Sequence, residues 1–208
     1  MRKFVKFSII FLLASGIFLL ISPIRWFPEF YDVRYMGIAA FICAAAIFFL
    51  PKIFLVPAGA PGAEKKNKSA DLFQVGLSLA IINNALGDMG LYQLYKVGFE
   101  YDKFIHLTTS FLAILIIATV LEGRFEVRVF YSILVALIIV VFAGLFWELF
   151  EYLSDTVLKT HIYGVYGVNI NSDTQFDILS NVVGSLAGVL VLFFKKRSSV
   201  FGGLKIKN

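Results

Sequence analysis

The sequence predicts an all-α polytopic transmembrane bundle of six spans, with both termini cytoplasmic, and three observations carry that prediction. First, 59% of the 208 residues are apolar and mean hydropathy is +0.84, beyond the range of a soluble globule. Second, the apolar residues gather into six runs near the roughly 20-residue length that a helix needs to cross a hydrocarbon core about 30 Å thick. Third, lysine and arginine alternate in density from one inter-run segment to the next, as the positive-inside rule requires of a multi-pass chain.

The first run, Phe4 to Ser22, follows Arg2, Lys3 and Lys6 and is closed by Pro23 and Pro28. It resembles a signal peptide in outline but lacks a small-x-small cleavage site after Ile21, and reads as an uncleaved helix. The second run, Val33 to Leu50, holds Cys43 and the small residues Ala39, Ala40 and Ala44 to Ala46, which permit close helix approach. As the sole cysteine, Cys43 excludes an intrachain disulfide and reads as a small core hydrophobe. A polar linker over 51–71, with Pro51, Pro57, Gly62, Lys65, Lys66 and Lys68, precedes the third run, Leu72 to Tyr95. The fourth run is Phe104 to Leu121 and the fifth Val129 to Leu153. A loop over 154–175, with His161, Gly164 and Gly167, leads to the sixth, Phe176 to Phe194. There Ser180, Gly184 and Gly188 form a ridge of small residues suited to packing on another helix. The chain reads as one integral membrane domain.

Fourteen of the nineteen Lys and Arg residues fall on the side of the termini, which places that side in the cytoplasm. Acidic residues contribute little to that rule, yet ten of the fourteen fall at or near the opposite, outer ends of the spans. The formal net charge of +5 is therefore the sum of a basic inner face and an acidic outer face. The inner face matches anionic lipid and gives no support for a nucleic-acid partner.

At the outer ends the acidic residues form patterns. Asp102 and His106 stand i, i+4 at the start of the fourth run, so a carboxylate can orient the imidazole. Glu148, Glu151 and Asp155 share one stripe near the end of the fifth run, with Trp147 beside them. Asp173, Asp177 and Asn181 share a face of the sixth, and Asn83, Asn84 and Asp88 lie in the outer half of the third. Asp173, Thr174 and Asp177 also fit helix capping, Asp102 also suits a helix N-terminus, and Asn83 and Asn84 also fit interhelical hydrogen bonding. Glu148 and Glu151 have no such explanation: acids are unfavourable near a helix C-terminus, and neither has a cation at helical spacing. Ionisable groups within a span mark functional candidates. No His-Glu-x-x-His, Gly-x-Ser-x-Gly or phosphate-binding loop is present.

The ordered set Tyr101-Asp102-Lys103-x-x-His106, Trp147-Glu148-x-x-Glu151-Tyr152 and Asp173-Thr174-Gln175-x-Asp177 resembles the YjdF-like family of bacterial inner-membrane proteins. More loosely, Asp102-Lys103-x-x-His106, Glu151 and Asp177-x-x-x-Asn181-x-x-Gly184 resemble the VanZ-like membrane proteins, some of them linked to glycopeptide resistance. The resemblance covers about Tyr101 to Gly188. It implies the bacterial cytoplasmic membrane and a shared site, and names no reaction.

Three functions fit these residues. An enzyme at the outer leaflet would act on a lipid or lipid-linked cell-envelope headgroup, with Glu148, Glu151 and His106 in catalysis and Asp88, Asn84, Asn181 and Trp147 binding substrate. In that enzyme Asp102, His106, Glu151 and Asp177 form a candidate metal set for Mg²⁺, Mn²⁺, Ca²⁺ or zinc. A binding or accessory protein for a cell-wall precursor or antibiotic would use the same cleft without turnover. An ion-coupled carrier would use a third helix broken at Gly76, Gly87 and Gly90, although carrier sites lie near the midplane and these acids are shallow.

Overall fold

The computed structural model describes residues 2–26, 33–54, 60–158 and 170–202. Among these residues all regular structure is helical. Six long helices follow in order: α1 (Arg2–Ile21), α2 (Val33–Phe49), α3 (Ala63–Asp88), α4 (Tyr101–Arg124), α5 (Val129–Leu153) and α6 (Ile170–Gly202). His161, Gly164 and Gly167, and with them residues 159–169 of the 154–175 loop, lie outside the described residues, as do Pro28 and Pro57.

Five helical stretches are long and apolar enough to cross a membrane: Lys3–Ile21, Val33–Phe54, Tyr101–Arg124, Val129–Leu153 and Ser172–Phe194. The sixth expected span, in α3, falls short because Gln74, Asn83, Asn84 and the terminal Asp71 and Asp88 dilute its apolar residues. Its bounds also differ from the apolar run. The helix starts at Ala63, inside the expected linker, and ends at Asp88 rather than Tyr95. It ends there because Gly90 takes φ +129°, which a side chain would strain, and the chain turns into a 3₁₀ segment over Leu91–Val97. Asp88 therefore stands at a helix end rather than roughly 10 Å inside one. Gly76 does not interrupt α3, so the break expected for a carrier is a terminus.

The surface is turned inside out relative to a soluble protein. Phe7, Ile10, Phe130, Phe142, Phe146 and Phe194 are exposed, while Ser8, Ser78, Ser132 and Ser185 are buried. Apolar side chains facing outward and small hydroxyls packed between helices are what lipid as solvent selects. Several hydroxyls satisfy themselves within their own helix, Ser8 donating to the Phe4 carbonyl at 3.0 Å and Ser78 to that of Gln74 at 2.8 Å.

Two cores divide the bundle. Val5, Leu12, Ala44 and Ile47 pack α1 and α2 together and onto Val75, Ile81 and Ala85 of α3. Ile114, Ala118, Ile133, Ala136, Val140 and Leu192 pack α4, α5 and α6. The halves meet where α3 lies along α4. Arg34 binds the α1 terminus by donating to the carbonyls of Leu19 and Leu20, a cation on the negative end of a helix. Gln74 donates to the Ile47 carbonyl of α2 at 3.0 Å, so one of the polar residues of α3 is satisfied by a neighbouring helix. The closest approach joins α4 and α6, where a Cβ at Gly184 would collide with the Leu107 backbone. Of the small residues expected to permit close approach, Ala44 is buried in the first core and Ala40 packs against it, while Ala39 and Ala40 also line a cavity between the halves.

Candidate functional site

The cavity between the two halves has a volume of about 520 Å³, within the range that holds a small ligand. Its lining is divided. Along α1 and α2 it is apolar, with Phe11, Leu12, Ala40 and Cys43, joined by Ile117 of α4 and Val140 of α5. Near the end of α3 and the start of α4 it is polar, with Asn84, Asp88, Tyr92, Asp102, His106, Glu151 and Asn181. Among the described residues no lysine or arginine lines it.

At the polar end, three helices, α4, α5 and α6, bring carboxylates around one imidazole and one ammonium. The i, i+4 spacing on α4 sets Asp102 Oδ1 3.6 Å from His106 Nε2. Asp177, one turn into the apolar part of α6, places Oδ1 3.6 Å from the same nitrogen. Glu148, from α5, places Oε1 3.9 Å away. Donor atoms of Asp102, His106 and Asp177 all lie within 4.8 Å of one another, close enough to share a cation. On its other edge the imidazole meets Asn181, whose Nδ2 is 3.1 Å from Nδ1, and Asn181 Oδ1 accepts a hydrogen bond from Ser110 at 2.6 Å. The ring is thus oriented by α6 and α4 together.

Lys103 is the ammonium. It pairs with Asp102 Oδ2 at 3.1 Å, with Asp177 Oδ1 at 2.7 Å, and with Asp173. Four carboxylates, those of Asp102, Asp173, Asp177 and Glu148, therefore gather near a single lysine. Glu148 is 6% exposed and its Oε1 accepts no hydrogen bond. A buried carboxylate oxygen without a partner is costly, so this one calls for a ligand.

The remaining candidates take different places. Glu151, one turn along from Glu148, lines the cavity rather than the histidine cluster. Glu148 and Glu151 therefore serve two adjoining compartments. Trp147 lines the cavity and is about half exposed, and Asp88 and Asn84 form its wall from α3. Asn84 Oδ1 accepts from the Tyr92 hydroxyl at 2.7 Å. Burial and the nearby Asp88 push the Tyr92 phenol up, so it stays a donor. Asn83 contributes its backbone carbonyl, which accepts from Tyr101 Oη at 3.0 Å. The side chain of Asp155 lies outside the described residues.

Three participants escaped the sequence pattern. Lys103 stands beside Asp102 at the start of a span, and a lone cation among aspartates spaced for one face was a usable sign. Ser110 follows His106 by four residues, on the same face, and was legible for the same reason. Tyr92 had no sign, because it lies in a 3₁₀ segment without helical periodicity.

A family model described as a predicted membrane protein, DUF2238, matches residues 7–198. It agrees with the YjdF-like resemblance and lends nothing to the VanZ-like one. No curated protein and no solved structure matches the chain.

Proposed function

Because the chain belongs to the DUF2238 family of predicted membrane proteins, we propose that it binds an amphiphile in the cavity between its two halves, with the headgroup at the His106 end. The observation that carries this reading is the division of one cavity into an apolar wall and a carboxylate-rich end. A water-soluble ligand would gain nothing from the apolar wall, and a hydrocarbon nothing from the acids. A lipid or lipid-linked cell-envelope headgroup uses both, and its chain can enter sideways from the bilayer. Since no lysine or arginine among the described residues lines the cavity, the polar end favours headgroups that donate hydrogen bonds or carry an amine, or anions bridged by a cation.

In the same proposal α3 is the sixth span, both termini are cytoplasmic, and the polar end lies at the outer leaflet of a bacterial cytoplasmic membrane. Support comes from the distribution of Lys and Arg and from the polar groups of α3, which face α2 and the cavity. Cysteine-accessibility labelling of an introduced Gln93→Cys tests it. Labelling by a membrane-impermeant reagent only from the cytoplasm would refute the orientation.

A catalytic reading is favoured by one further observation. Glu148 Oε1 has no hydrogen-bond partner and lies beside His106, so a base stands next to the position of the headgroup. Glu148 and His106 would move protons and Glu151 would hold the substrate. Native mass spectrometry of the detergent-purified protein tests binding: wild type retains a lipid, and Glu151→Ala and Ala40→Trp each lose it by blunting the polar and apolar ends. Equal lipid retention by all three proteins would refute the cavity as the binding site. Turnover of the retained lipid by wild type but not by Glu148→Gln separates enzyme from binding protein.

A further inference from the structure

We infer that Asp102, His106 and Asp177, joined by Glu148, form a divalent-cation site, with Asn181 and Ser110 as the groups that set the histidine for it. Three carboxylate oxygens from three different helices converge on His106 Nε2 at 3.6, 3.6 and 3.9 Å. Ligand atoms around one transition-metal ion stand about 3 to 3.5 Å apart, given bond lengths of about 2.0 to 2.2 Å. The separations from Nε2 need to contract by only a few tenths of an ångström, and the donor atoms of Asp102, His106 and Asp177 lie within 4.8 Å of one another. A chance acidic cluster at a membrane surface would point its oxygens at water. Here Glu148 is more than nine-tenths buried, and its unpartnered Oε1 faces the imidazole nitrogen.

Charge leads to the same conclusion. Lys103 binds Oδ2 of Asp102 while Oδ1 of the same carboxylate faces the histidine, and it also reaches Asp177 Oδ1, which a bound cation would share with it. One ammonium against four carboxylates leaves the interior strongly negative, and a divalent cation between the inner oxygens relieves that. One imidazole with two or three carboxylates suits Mn²⁺, Fe²⁺ or Zn²⁺ better than Ca²⁺, which prefers oxygen alone.

The outer partners of His106 support the assignment. A metal at Nε2 requires the proton on Nδ1 and an acceptor opposite it. Asn181 supplies either partner. With Nδ2 toward Nδ1 it donates, and turned by half a rotation its Oδ1 accepts from Nδ1–H while Nδ2 donates to Ser110 Oγ. Ser110 both donates and accepts, so either orientation keeps the hydrogen bond between Asn181 and Ser110. Asp102, His106 and Asn181 also line the cavity, so a bound cation is open to a ligand oxygen from it. The site stands independently of what fills the cavity.

The test uses Mn²⁺ with the full-length protein in detergent. Equilibrium dialysis is expected to give one bound Mn²⁺ per chain, and pulsed EPR to show nitrogen coupling from a directly bound imidazole. That coupling persists in His161→Gln, the only other histidine, and disappears in His106→Gln. Affinity falls by about tenfold or more in Asp177→Asn and Glu148→Gln, falls by about tenfold in Asn181→Leu, and is unchanged in Glu122→Gln at the far end of α4. Should His106→Gln not fold, the wild-type spectrum decides alone: sub-stoichiometric Mn²⁺, or Mn²⁺ without nitrogen coupling, overturns the site. Equal affinity in Asp177→Asn and wild type overturns it as well. Lipid retention is unaffected by these outcomes, so failure here is distinct from failure of the cavity reading.

Discussion

The α1–α2 half and the α4–α5–α6 half are both helical, apolar and packed through small residues, yet they differ in where their buried polar groups find partners. In α1 the buried Ser8 and Ser22 return their hydroxyls to their own helix, four residues back, at 3.0 and 2.6 Å. In the other half Thr108 and Thr119 do the same, but the groups at the polar end are satisfied across helices: Ser110 on α4 by Asn181 on α6, and Lys103 by Asp173 and Asp177. The first half is held mainly by apolar packing, with Arg34 tying α2 to the end of α1. The second is a site whose polar groups hold the helices in register, and such interdependence is where ligand chemistry can be built.

Substitutions that remove one member of an interhelical set should therefore cost far more than those that remove a self-satisfied group, and unfolding titrations in mixed micelles measure the difference. The largest loss is expected for Lys103→Met, which strands three aspartates: about 3 to 5 kcal/mol. Lys103→Met with Asp173→Asn should recover part of it, and no recovery would sink the ion-pair account. Next comes Gly184→Ala, which forces α6 off the Leu107 backbone and is expected to cost about 1 to 3 kcal/mol. Ser110→Ala removes the donor to a buried amide oxygen, for about 1 to 2 kcal/mol. Ser8→Ala, in the other half, should fall within about 0.5 kcal/mol, since the freed carbonyl already accepts a helical bond. A Ser8→Ala loss as large as that of Ser110→Ala would erase the contrast between the halves.

Much of this was legible in the sequence because lipid leaves the chain few options: an apolar run of sufficient length must be a helix, and its ends fall where prolines, glycines and charges gather. The i, i+4 pairs carried over directly, since helical spacing fixes which side chains share a face. Asp102 with His106 and Asp177 with Asn181 each turn toward one point. What helical spacing cannot fix is which helix opposes that face. Glu148 and Glu151 read as one pair in sequence, and only the placement of α4 and α6 separates them into the histidine cluster and the cavity. Mixed elements were least legible. The α3 run looked continuous to Tyr95 because its apolar residues continue past Gly90, where the backbone does not remain helical.

The Lys103 pairing has a consequence for how the chain is made. Lysine and its partner Asp173 are seventy residues apart, so α4 leaves the ribosome well before the carboxylates of α6 exist. Until then only the neighbouring Asp102 can offset the ammonium, and the start of α4 remains more stable near water than pressed against lipid. Synthesis of α6 removes that restraint. A chain that stops short of Asp173 would leave Lys103 with Asp102 alone of its three aspartate partners, and the start of α4 without its tie to α6.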